Sequence, residues 1–177
     1  MMIDVVNLQR KIKLDLAPIR AFVADLSANV EESANGTFTV AFIGDGRMKQ
    51  LNELFRHKNT TTDVLSFPHE PDEFNSAGSP PYEGGVDAAA ADGVVLSLND
   101  DETLTTDNRQ PTTIFLGDIV ISAEQAAKQA AENDLSLDAE IKQLILHGLL
   151  HLCGYDHETD TGEMNTRELT LREHLGI

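Results

Sequence analysis

The chain has 177 residues, enough for one well-buried domain and short for two, and carries no apolar run long enough to span a membrane. Thirty acidic residues against thirteen basic ones give a formal net charge of −17, which argues against a broad nucleic-acid-binding surface. A single cysteine excludes an internal disulfide, and the opening MMIDVVNLQRKIKLD has no charged start followed by an apolar core, so the expected location is cytoplasmic. The acid is unevenly spread. Between His69 and Pro111 ten Asp and Glu face one Arg, so this segment carries −9 and the rest of the chain −8. Basic clusters survive at Arg10, Lys11 and Lys13 and at Arg56, His57 and Lys58, leaving room for a local positive site.

In chain order, Ile3 to Leu8 is β-branched and reads as a strand. Leu14 to Val30 has helical spacing, with Leu16, Ile19, Phe22, Val23 and Leu26 apolar and Pro18 tolerable in the first turn. Asn35-Gly36 signals a turn before a strand over Thr37 to Ile43. Asp45 is a candidate N-cap for a short helix carrying Met48, Leu51, Leu54 and Phe55 and stopping near His57. Thr60 to Asp63 form a polar turn into the strand Val64 to Phe67, ended by Pro68. Residues 69–111 are rich in Pro, Gly, Ser, Ala and Asp and predict a solvated loop, either ornament or lid, with Gly93 to Leu98 a candidate edge strand. Order is predicted to return as a strand over Thr113 to Ile121. Ser122 and Gln125 then have capping-box spacing for a helix through Ala131. Further helices start at Leu137 or Asp138 and at about Thr161, the last using Met164, Leu169, Leu171 and Leu175. The order β-α-β-α-β-(loop)-β-α-α-α predicts an α+β domain with one central mixed sheet of about four strands, about five helices and an acidic insertion at about 69–111.

His147-Gly-Leu-Leu-His151-Leu-Cys-Gly154-Tyr-Asp-His157 spaces three imidazoles for one metal ion. Residues four apart stand on one helix face, and Gly154 allows the sharp turn that brings His157 back towards the first two rings. Two buried histidines at one azimuth need two separate hydrogen-bond partners, or one shared cation. Three neutral imidazoles suit zinc and leave a fourth position open, which is the layout of a catalytic site on a C-terminal helix and the turn after it. The spacing matches metzincin proteases except that Gly148 stands where they carry the general-base Glu. Cys153 lies about 200° round the helix from His151 and reads as a small core residue rather than a ligand.

Three segments together resemble the YbeY-type endoribonucleases, described as rRNA maturation factors: Leu51-Asn52 through Arg56 to Thr62-Asp63-Val64-Leu65-Ser66-Phe67-Pro68, then Leu116 to Ile121, then His147 to His157. The resemblance implies one zinc per chain held by His147, His151 and His157, single-stranded RNA as substrate, rRNA and the ribosome or its proteins as partners, and no membrane. Arg56 occupies the position of that family's functional arginine and is expected to pair with the scissile phosphate. Asp156 is expected either to hold a histidine ring from outside the ligand set or to serve as a turn residue. Two features depart from the family: the acidic 69–111 stretch is longer, and Arg56-His57-Lys58-Asn59 stands where the pattern tends to Arg-Gly-Lys. Two other readings carry different outcomes. One is a metal-dependent hydrolase of peptides, with Glu158 or Glu163 supplying the missing base; the other is a non-catalytic, metal-stabilised ribosome-assembly factor.

Overall fold

In a computed structural model of the chain, residues 4–34, 36–69, 114–156 and 159–177 are described. Among them are four strands, β1 Asp4–Asn7, β2 Thr37–Ile43, β3 Val64–Pro68 and β4 Phe115–Ser122. Five α-helices join them: α1 Leu16–Asn29, α2 Asp45–Arg56, α3 Ala123–Glu132, α4 Leu137–Leu152 and α5 Glu163–Leu175, with a 3-10 turn at Glu31–Ser33. The sheet order is β1-β2-β4-β3. β1 runs parallel to β2 with Val5 opposite Val40, β2 runs parallel to β4 with Val40 opposite Ile119, and β3 returns antiparallel along β4 with Ser66 opposite Ile119. The architecture is therefore α+β with one mixed sheet, as expected. The candidate strand at Gly93 to Leu98 and the loop reading of the acidic segment lie outside the described residues.

Strand alternation assigns the two faces. Phe38, Val40 and Phe42 of β2 and Ile119 and Ile121 of β4 are buried against Ile19, Phe22, Val23 and Leu26 of α1 and Ile141, Ile145 and Leu149 of α4. On the opposite face Ile43, Leu65 and Val120 receive Met48 and Leu51 of α2. α4 approaches β3 and β4 closely because residue 148 is glycine. A Cβ there would stand 2.8 Å from Ile119 Cγ2 and 3.1 Å from Ser66 Oγ, and the Ser66 hydroxyl donates to the Gly148 carbonyl at 3.2 Å. That approach sets His147 and His151 beside β3.

Three local expectations are corrected. Asp45 is the first residue of α2 and not its cap, which is Gly44. Its carboxylate is drawn into tertiary bonds from the Ser122 hydroxyl at 2.5 Å, Gln125 Nε2 at 2.7 Å and Thr61 Oγ1 at 3.2 Å. Gln125 therefore does not complete a reciprocal capping box, although the Ser122 hydroxyl accepts from its backbone N–H at 3.3 Å. In α5, Leu169 is 57% exposed, and the buried stripe instead runs Met164, Glu168 and Leu171.

Candidate active site

The C-terminal end of α4 is closed by two backbone bonds, Gly154 N–H to the His151 carbonyl at 3.0 Å and Tyr155 N–H to the Leu150 carbonyl at 3.0 Å. This ending needs a left-handed residue, and Gly154 supplies it at φ 92°. The chain then folds back so that the Tyr155 carbonyl lies 2.9 Å from His151 Nδ1. Tyr155 is itself held from its hydroxyl, which donates to Glu32 at 3.2 Å, while Arg167 of α5 forks onto the same carboxylate. The hydrogen bond from Arg167 keeps the Glu32 carboxyl below its ordinary range.

His147 Nδ1 lies 2.9 Å from Glu168 Oε2. Glu168 is buried in α5, its other oxygen bonded to Arg172, which in turn donates to Gln143 at 2.8 Å. Burial pushes the Glu168 carboxyl up, but the bond from His147 and the charge of Arg172 outweigh it and leave it below the ordinary value. A carboxylate and a carbonyl are acceptors only, so each imidazole donates from Nδ1, and a neutral ring so held turns its Nε2 lone pair to the cleft. The two Nε2 atoms are 3.2 Å apart and the rings lie at 79°. Nitrogens bound at about 2.0 Å to one tetrahedral ion stand about 3.3 Å apart. Tautomer and spacing of this pair therefore fit a shared cation. Among the described residues no set of three His, Cys, Asp or Glu side chains is gathered. His157, the third expected ligand, and Glu158 lie outside the described residues.

The same cleft, of about 880 Å³, is lined by Phe55, Arg56 and Lys58 from the end of α2, by Asp63 to Pro68, and by His147, His151 and Gly154 to Asp156. Arg56, singled out on resemblance, thus shares a cavity with both histidines. His57 follows at φ 56°, the left-handed conformation a glycine would take, so the histidine keeps that loop path at a cost of about 1–2 kcal/mol. Asp156 is exposed in the turn after α4, where its backbone carbonyl accepts from Thr159 and Asp160 and its carboxylate from the Thr159 hydroxyl at 3.1 Å. Cys153 packs on the core, and burial pushes its thiol up to about 11, so it is no thiolate at neutral pH. Glu168 and the Tyr155 carbonyl are the ring partners that sequence reading missed. The signal for Glu168 was present: it stands four residues after Met164 and three before Leu171, a carboxylate inside an apolar stripe.

A family profile described as Endoribonuclease YbeY matches residues 4–176. The chain belongs to the YbeY family. It is 38% identical over 133 residues to the endoribonuclease YbeY of Nautilia profundicola, covering 75% of this chain and 68% of that one. With the YbeY protein of Carboxydothermus hydrogenoformans it shares 31% over 179 residues and 99% of both chains, and with that of a Picosynechococcus species 32% over 171 residues, 93% of this chain and 86% of the other. The solution structure of a Thermotoga maritima protein has the same fold at a TM-score of 0.54 and 21% identity, over 99% of this chain and 90% of that one. Among YbeY family positions, Gly148 now has a physical account. It faces β4, so the Glu that a metzincin carries there would be driven into Ile119 rather than towards the cleft.

Proposed function

We propose that this YbeY family member is a zinc-dependent endoribonuclease that cuts single-stranded RNA during rRNA maturation and ribosome quality control in the cytoplasm. The ligands in this reading are His147, His151 and His157, one zinc per chain, on a single domain with an acidic insertion. The observation that supports it most is the convergence of the His147 and His151 Nε2 atoms, both tautomers fixed from behind, in a cleft that also holds Arg56 and Lys58.

When bound by these histidines, zinc would supply Lewis acidity towards a phosphoryl oxygen and a water. The chain's own residues do the rest. Arg56 offers two parallel N–H donors to a phosphate and opposes charge that grows on its oxygens. Lys58 adds a point charge for the neighbouring backbone phosphate. Glu168 and the Tyr155 carbonyl hold the two rings in the donor tautomer. Peptide hydrolysis is the weaker reading, because position 148 leaves no room for a base and Glu163 is engaged by the Thr161 backbone N–H at 2.6 Å and hydroxyl at 2.8 Å.

The test offers single-stranded RNA, duplex RNA and a casein-type protein to the protein as purified, after chelation, and after zinc is restored. Cleavage of the single strand alone, lost and regained with zinc, is the expected result. Proteolysis, or RNA cleavage indifferent to chelation, contradicts it.

A further inference from the structure

Phe55 is 57% exposed, although a phenylalanine removed from water contributes about 2–3 kcal/mol. The buried face of α2 is made by Met48 and Asn52, with Leu51 beside them, and Phe55 stands outside that cluster. It touches Phe67 edge-on, with ring centroids 5.0 Å apart and planes at 70°. Phe67 packs on the cluster beneath, so this contact pins one edge of the Phe55 ring. The ring lines the cleft with His147 and His151, and the next residue and the third residue on are the cations Arg56 and Lys58. Two bonds tie the segment back onto α2: Lys58 N–H donates to the Asn52 carbonyl at 3.3 Å, and Asn52 Nδ2 donates to the Thr60 carbonyl at 2.8 Å. An aromatic face held beside two cations, on a chain of net charge −17, matches an anionic ligand that carries flat rings.

We infer that Phe55 is a stacking platform for an unpaired nucleobase next to the phosphate bound by Arg56 and Lys58, and so a specificity-determining residue of this cleft. The inference rests on the ribonuclease reading and deepens it. In a duplex both faces of each base are covered by its neighbours, so a protein aromatic gains a partner only from a single strand. Stacking also tolerates any base, so this contact selects strandedness and not sequence. The exposed position of the ring means that its removal leaves the core intact.

The test compares wild type with Phe55→Ala, Phe55→Leu and Phe55→Trp, each checked for unchanged thermal midpoint and zinc content. A single-stranded RNA oligonucleotide is used intact and with an abasic site moved along it. Phe55→Ala and Phe55→Leu are expected to weaken binding and raise KM by about ten- to a hundredfold, with kcat at saturation nearly unchanged and Phe55→Trp restoring affinity. One abasic position costs the wild type the same factor and costs Phe55→Ala nothing more. If the wild type cuts RNA and both truncations bind as well as it does, or if the abasic and Phe55→Ala losses add, the stacking role is overturned alone. A wild type that neither binds nor cuts single-stranded RNA overturns the ribonuclease reading and this inference with it.

Discussion

An ionised carboxylate only accepts, so Glu168, 2.9 Å from His147 Nδ1, draws a ring proton to that nitrogen. Its effect on the site is therefore read in metal affinity rather than in folding alone. Glu168→Gln is expected to weaken zinc binding about tenfold and Glu168→Ala up to about a hundredfold, measured by competition with a chelator. Equal affinity in all three proteins would detach α5 from the site. At this scale the sequence was partly legible. The four-residue separation of His147 and His151 placed two rings on one helix face, and the rings do lie 4.8 Å apart. Arg56 came from resemblance alone, since a cation at a helix end is equally explained by the dipole. Glu168 stood out only as a carboxylate inside an apolar stripe; its pairing with His147, 21 positions away, and that of the Tyr155 carbonyl with His151, 4 positions away, come from a helix packing and a turn that no local pattern encodes.

Elements carry the next layer. α4 sits close to β3 and β4 through Gly148, so Gly148→Glu, which restores the protease pattern, is expected to destabilise the fold by more than about 2 kcal/mol in denaturant titrations through overpacking and a buried carboxylate. A variant as stable as wild type would show that α4 can move off the sheet. The turn after α4 is tied to α5 and to the 3-10 turn through Tyr155, Glu32 and Arg167. Glu32 titrates below its ordinary 4.5 when folded, so the tie contributes fully above that value and is lost as pH falls through the lower folded one. The thermal midpoint of wild type is accordingly expected to exceed that of Arg167→Met near pH 7, with the gap closing below pH 4.5; a gap independent of pH would assign the difference to packing. The nine elements followed hydrophobic period and turn chemistry, with ends shifted by one to a few residues. Sheet order did not follow from them, because it is decided by pairings such as Val40 with Ile119 across 79 positions. Asp45 misled as a cap for a related reason: long-range donors outbid the local N–H groups.

For the whole molecule, an excess of acid coexists with a cleft lined by Arg56 and Lys58 as well as by Asp63 and Asp156. The segment 72–108 contains nine carboxylates and no basic residue, a charge of the sign that repels a phosphate chain. Deleting 72–108 is expected to leave zinc content unchanged and to speed RNA association, most strongly at low salt, as followed by stopped-flow fluorescence. Unchanged rates at every ionic strength would make the acid irrelevant to the substrate. The family relation, the α+β fold and the paired imidazoles beside Arg56 are consistent with one chemistry, metal-assisted cleavage of RNA. Its most direct test is the cutting of single-stranded rRNA by zinc-loaded, nuclease-free protein beside His151→Ala and Arg56→Glu, with metal assayed in every sample. Wild type is expected to cut, His151→Ala to lose both zinc and activity, and Arg56→Glu to keep its zinc but not its activity. Cleavage by both variants at the wild-type rate would contradict it.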